Sequence, residues 1–324
     1  MMKWKVWGKW VLGLGLLTVV FFLGDVRELT HLRVLWTVVF GMFLTTLGFV
    51  LLHTLRWKRI VDALSEKPTG GFLPFYQWML HSYTLGYVMP KDVSLLSVRT
   101  YFLKQHQSLS LSAALFSVTL DRLLDFLVFF VVIAPSFLFV TRILSPIQSL
   151  LLMGILLAGL LVMARWKGGV TFQVLVGLYH LILKLPVLRT RMAVAEETSL
   201  WREALEKQGL FSMVSWSIGT FLLIVLRFFL TGMALGVPVS LAQSLFLVPV
   251  IQVSGLVNIT PASLGVLELG SWGALLLIDL PRDQILRFVL GQRVLLTVVL
   301  LSLILLNQLF TLWKGNRGEV ASQG

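Results

Sequence analysis

Apolar runs of about twenty residues recur along the chain, separated by short polar segments rich in Lys and Arg. Runs of that length suit helices that cross a bilayer, which needs about 20 residues per span. Six such spans are predicted: Met1–Leu23, Val34–Leu55, Leu109–Val140, Ile147–Ala164, Phe211–Leu235 and Ile285–Trp313. Two further apolar stretches are broken. Phe72–Met89 is interrupted by Gln77, His81, Ser82 and Gly86 and stops at Pro90, before a segment with Lys91, Asp92, Arg99 and Lys104. Leu241–Leu280 is broken at Asn258–Gly270, where Pro261 lacks an N–H, Gly265 and Gly270 loosen the backbone, and Thr260, Ser263 and Glu268 bring in polar groups. Irregular backbone at membrane depth persists only when buried in protein or lining a wet cavity. The predicted fold class is therefore all-α, a polytopic integral membrane protein of about six crossing helices. Phe72–Gln107 and Leu241–Leu280 add two re-entrant broken-helix pairs, and the total becomes eight spans if these cross.

Charge sets the predicted orientation. Lys3, Lys5 and Lys9 precede the first run, which is read as an uncleaved span because Phe21-Phe22-Leu23-Gly24-Asp25 offers no cleavage site of small residues. Arg56-Trp57-Lys58-Arg59 reads as a basic and aromatic anchor at the cytoplasmic interface, and Arg165–Lys207 as a basic cytoplasmic loop. Within that loop Thr190–Gly209 suggests an amphipathic helix or a solvated connector. Both termini are expected in the cytoplasm, with residues 1–313 as one transmembrane domain and 314–324 as a short tail, in the plasma membrane. The broken pairs then open to opposite faces. Each carries a small residue four positions after its proline, Ser94 after Pro90 and Gly265 after Pro261, a pointer to an inverted repeat.

Composition agrees with the pattern: 57% of the 324 residues are hydrophobic and 13% charged, with a mean hydropathy of +0.89. The absence of cysteine excludes disulfides, thiolate metal sites and thiol nucleophiles. A net charge of +12 points to anionic lipid rather than nucleic acid, because the cations lie in the segments between the apolar runs.

A few charged residues do fall within the spans. Asp121, Arg122 and Asp125 sit in the third predicted span, Arg227 in the fifth and Arg293 in the last. Each costs roughly 2.5–3.5 kcal/mol at a span centre, so it should face the bundle interior. Asp121 and Asp125 lie one turn apart and are read either as partners of Arg227 or Arg293 or as part of a polar cavity. Glu268 is read as a partner of Arg293 or as a titrating carboxylate, and Arg99 as a phosphate contact or an interfacial anchor. His81 reads as a packing residue, and Asn258-Ile-Thr as a chance sequon. No phosphate loop, metal-binding pattern or complete catalytic set is present, so no catalytic residue, metal or cofactor is expected.

Taken together, Pro261-x-x-x-Gly265-x-x-Glu268, Gln292-Arg293, and Asp121-Arg122-Leu-Leu-Asp125 after Pro90 and Arg99 resemble the transmembrane, flippase-like region of lysylphosphatidylglycerol synthases. The resemblance runs from Arg56-Trp57 to Arg293. It implies movement, or binding for movement, of an anionic or aminoacylated lipid between leaflets. The matching positions are Arg99, Asp121, Arg122, Asp125, Pro261, Gly265, Glu268 and Arg293. This chain departs from the family pattern at Ser94-Leu95-Leu96, where Gly and an acidic residue are usual, and at Ala262-Ser263, where a glycine pair is usual. No aminoacyl-transferase domain follows Trp313, so a stand-alone membrane domain is expected and not a synthase.

The expected function is lipid translocation or lipid binding, with an anionic, aminoacylated or polyprenyl-phosphate lipid as partner and no nucleic acid. The head group would meet Arg99, Arg122, Arg227 and Arg293, tuned by Asp121, Asp125 and Glu268, between broken elements at Pro90, Ser94, Pro261, Ser263 and Gly265. The alternative is a membrane-embedded transferase, or an accessory subunit of a lipid-linked glycosyltransferase. A homo-oligomer or a partner lipid-modifying enzyme is compatible with the sequence.

Overall fold

The computed structural model describes residues 14–19, 34–65, 69–86, 91–107, 109–166, 169–171, 173–174, 177, 209–254, 260 and 263–321. These are helical, with no strand among the described residues. In chain order the helices are α1 Trp36–Leu64, α2 Phe72–Leu85, α3 Lys91–His106, α4 Leu111–Val140, α5 Pro146–Trp166, α6 Leu210–Ala234, α7 Leu241–Ser254, α8 Val266–Leu276 and α9 Arg282–Ala321. Five of them, α1, α4, α5, α6 and α9, are long and apolar enough to span a membrane. They match five of the six predicted spans. The first predicted span lies outside the described residues apart from 14–19, which are helical. Pro90, Pro261 and residues 190–208 of the predicted Thr190–Gly209 element also lie outside them. The chain is a multi-pass membrane protein.

The remaining helices are short for a physical reason already visible in their sequence. α2, α3, α7 and α8 have 14, 16, 14 and 11 residues. At 1.5 Å per residue the longest reaches about 24 Å, short of the roughly 30 Å hydrocarbon core. Each pair instead folds back on itself. In the first, Ser94 Oγ donates to Ser82 O at 2.6 Å near the tip, and the Trp78 and Phe102 rings stand 5.1 Å apart midway. At the base, a Cβ on Gly70 would lie 3.5 Å from Gln107 Nε2. The two helices are therefore antiparallel and leave at the level at which they arrive.

The second pair closes as tightly at its tip. A Cβ on Gly270 would fall 2.4 Å from Ser254 Cβ, so α7 and α8 touch where Gly270 carries no side chain. Their base lies at the other end of α4, where Gln243, Leu277 and Ile278 surround a cavity with Arg142, Ser145 and Pro146 of the α4–α5 turn. Arg142 donates to Asp279 across that gap. The base of the first pair adjoins the start of α4 and the base of the second its end, so the two tips point toward each other. Gly86 and Ser263, one from each tip region, line a single cavity.

The frame around the hairpins rests on α1 against α6, antiparallel and closely packed. Gly41 and Gly48 of α1 face Leu230 and Leu223, and Gly219 of α6 faces Leu52, so each large side chain meets a glycine opposite. One expectation about this frame is corrected. Arg56 and Trp57 are not an interfacial anchor, because both are fully buried, with Trp57 edge-on to Phe75 at 5.1 Å. α9 also continues as helix to Ala321, past the predicted end at Trp313.

Gly270→Ala should lower the unfolding midpoint in detergent, costing about 1–3 kcal/mol as an overpacked contact. Ser254→Gly should restore most of the loss in the double variant, because the clashing atoms are then gone. Full stability of Gly270→Ala alone would contradict the tight hairpin.

Candidate functional site

The charged residues divide into two groups that behave differently. The first is a sealed cluster where α1, α3, α4 and α6 meet. Arg56 Nε donates to Asp121 Oδ1 at 2.6 Å and its Nη1 to Asp125 Oδ1 at 2.5 Å, with Ser217 Oγ and the Asp121 carbonyl completing the fork. Arg99 places both Nη atoms 2.8 Å from Asp121 Oδ2, and its guanidinium lies 4.3 Å over the Trp57 ring. His53 Nε2 is 3.1 Å from Asp125 Oδ2 and its Nδ1 is 2.7 Å from the Tyr83 hydroxyl. Arg122 approaches Asp125 at 3.8 Å from one turn away. All four carboxylate oxygens of Asp121 and Asp125 are therefore engaged, as charges require where Asp121 is fully buried and Asp125 largely so.

Asp121 and Asp125 were read either as partners of Arg227 or Arg293 or as part of a polar cavity. They take Arg56 and Arg99 instead. Arg99 itself is fully buried, with both Nη atoms on Asp121 Oδ2. The sequence reading passed over His53 and Tyr83 and took Arg56 for part of an interfacial anchor. A signal existed for two of them: His53 and Arg56 lie one turn apart on one face of α1, complementary to Asp121 and Asp125 on α4.

The second group surrounds open space. A cavity of about 210 Å³, several times the roughly 30 Å³ share of one water, is lined by Arg227, Arg293, Tyr83, Ser263, Thr46 and Thr297 among others. A neighbouring cavity of about 180 Å³ shares Arg227 and Arg293 and adds Glu268, Gln252, Ser271 and Gln292. Arg227 comes from the middle of α6, with its guanidinium 5.3 Å from the Phe49 ring centroid. Arg293 comes from α9 and donates to Glu268 Oε1 at 2.5 Å. Glu268 Oε2 in turn accepts the Gly265 N–H at 2.7 Å, so one carboxylate caps α8 and holds α9.

The local backbone explains why this wall is irregular. Ser263 has φ 54° and Gly265 φ 80°, both in the left-handed region that ends or starts helices. Ser263 is the position where a glycine of the family pattern was expected, and it adopts the conformation a glycine favours. On the far side of the Glu268–Arg293 pair lies an almost wholly apolar cavity of about 330 Å³ lined by Leu17, Val34, Leu235, Leu264 and Leu290 among others. Ser94 is buried within the first hairpin and does not reach the cationic cavity. Among the described residues no group of three or more His, Cys, Asp or Glu is placed to hold a metal.

The sequence model of one family, described as the lysylphosphatidylglycerol synthase TM region, matches residues 8–304. No curated protein and no solved structure matches the chain.

The sealed cluster and the cavity should respond differently to substitution. Asp121→Asn leaves Arg56 and Arg99 sharing a neutral amide in the core and should cost about 3–5 kcal/mol, read as a large fall in the detergent unfolding midpoint. Arg122→Gln, at a side chain 21% exposed, should cost under about 1 kcal/mol. Equal losses for the two would show that the cluster is not sealed.

Proposed function

Because the chain belongs to the family of the lysylphosphatidylglycerol synthase transmembrane region, we propose that it binds anionic phospholipid head groups at mid-membrane and passes them between leaflets. The observation that carries this reading is the cavity shared by both hairpin tips, with Arg227 and Arg293 on its wall. Cationic side chains facing a polar cavity between interrupted helices are the arrangement that transporters use for anionic substrates. Each guanidinium offers a planar fork suited to two phosphate oxygens. Hairpins based at opposite ends of α4 provide one path to the cavity from each face, and the apolar space behind Glu268 and Arg293 accommodates hydrocarbon beside the head group.

In this reading the protein is a plasma-membrane component with cytoplasmic termini, in which the first hairpin opens to the cytoplasm and the second to the outside. The lipid classes it fits are anionic, aminoacylated or polyprenyl-phosphate. The sealed cluster serves as scaffold, fixing the first hairpin against α1, α4 and α6. Against a transferase built on Asp121 and Asp125 stands their packing, since Arg56, Arg99 and His53 occupy every carboxylate oxygen.

Reconstituted in liposomes, the protein should speed exchange of head-group-labelled anionic lipid between leaflets. Arg227→Gln and Arg293→Gln should each slow it roughly 10- to 100-fold, the worth of a charge-assisted hydrogen bond of about 1.5–3 kcal/mol. Exchange no faster than in protein-free liposomes, across anionic lipid classes, would sink the proposal.

A further inference from the structure

Three neutral polar side chains face the second cavity from three different helices: Gln252 of α7, Ser271 of α8 and Gln292 of α9. Among the described residues none of the three has a hydrogen-bond partner. Ser271 shows this most clearly, because it is only 4% exposed. Buried serines elsewhere, such as Ser217 and Ser244, bond back to a carbonyl one turn earlier in their own helix, and Ser271 does not. Polar groups left open in this way are costly, so the cavity calls for an occupant.

The chemistry of the wall decides which. Two guanidiniums, Arg227 and Arg293, border the space against one carboxylate, Glu268, whose two oxygens already accept from Arg293 and from the Gly265 N–H. An amide NH2 and a hydroxyl can both turn a hydrogen toward an anion, so the three neutral groups add to the positive potential of the wall. The remaining lining is apolar, with Phe228, Val248 and Val289 among it, and a low local dielectric strengthens that potential. At about 180 Å³ the space suits a small anion with a few waters. Apolar surroundings favour a weakly hydrated ion, because a halide gives up its water more readily than sulfate or phosphate does.

We propose that this cavity is a halide site, in which Gln252, Ser271 and Gln292 coordinate chloride beside Arg227 and Arg293. The same two guanidiniums line the head-group cavity, so chloride and lipid phosphate compete for one region of positive potential. A lipid then enters by exchange for a small anion. The competition rests on the lipid-binding reading above; the halide site does not.

The probe is sodium chloride, mixed with the full chain in detergent and read by the width of the ³⁵Cl resonance, which broadens when chloride exchanges on and off a protein site. Bromide should remove the excess width, and gluconate at equal ionic strength should not. Gln252→Leu and Gln292→Leu should each weaken chloride binding roughly ten-fold, the worth of a hydrogen bond to a charged group. Their unfolding midpoints should hold or rise, since each replaces an open polar group by an apolar one. No excess width, or width that persists unchanged in both variants, overturns the halide site and leaves the lipid reading to its liposome assay. Short-chain phosphatidic acid should also displace chloride. Broadening that is lost in the variants yet survives the lipid keeps the halide site and overturns the competition.

Discussion

The architecture depends on one guanidinium. Arg56 reaches from α1 to both carboxylates of α4 and to Ser217 of α6, and through Asp121 it is coupled to Arg99 of α3. Four helices thus share one centre of paired charges. In hydrocarbon the alternative for each of these groups is an unsatisfied charge, so the cluster has one low-energy arrangement and its members fix one another's register. The aromatic layer of Trp57, Phe75 and Phe102 packs against the same centre and seats the first hairpin beside α1.

That rigidity is what permits an irregular site nearby. Arg227 and Arg293 stand on long helices held by the frame, whereas Ser263 and Gly265 occupy a turn with positive φ angles, tied by the Glu268 carboxylate and by Thr260. The protein therefore combines a stiff half, where every buried charge has a fixed partner, with a half where backbone and charge border empty space. Local opening is drawn from the second kind of region, since it has fewer packed contacts to lose.

Much of the fold was legible because the membrane simplifies the problem: apolar run length separates spans from shorter elements, and Pro, Gly and polar residues mark the breaks. The antiparallel fold-back of both pairs follows from those breaks, since α2, α3, α7 and α8 are each too short to cross. Pairing was less legible. Asp121 and Asp125 announced themselves by their spacing, but the matching spacing of His53 and Arg56 does not by itself choose Arg56 over Arg227 or Arg293, because that choice depends on which helices are neighbours. Arg56 was further concealed by Trp57, Lys58 and Arg59, which together read as an interfacial anchor. Glu268 and Arg293 were easier, being carried by consecutive helices. The shift of Ser263 into a conformation suited to glycine left no mark in hydropathy at all.

Glu268 acts as a mechanical latch. Its two oxygens fasten different parts, one the N–H of Gly265 that caps α8 and the other the Arg293 guanidinium of α9. If an anion drew Arg293 away, Glu268 would keep only its bond to the Gly265 N–H, so in the proposed role the cavity wall and the start of α8 are coupled through one carboxylate.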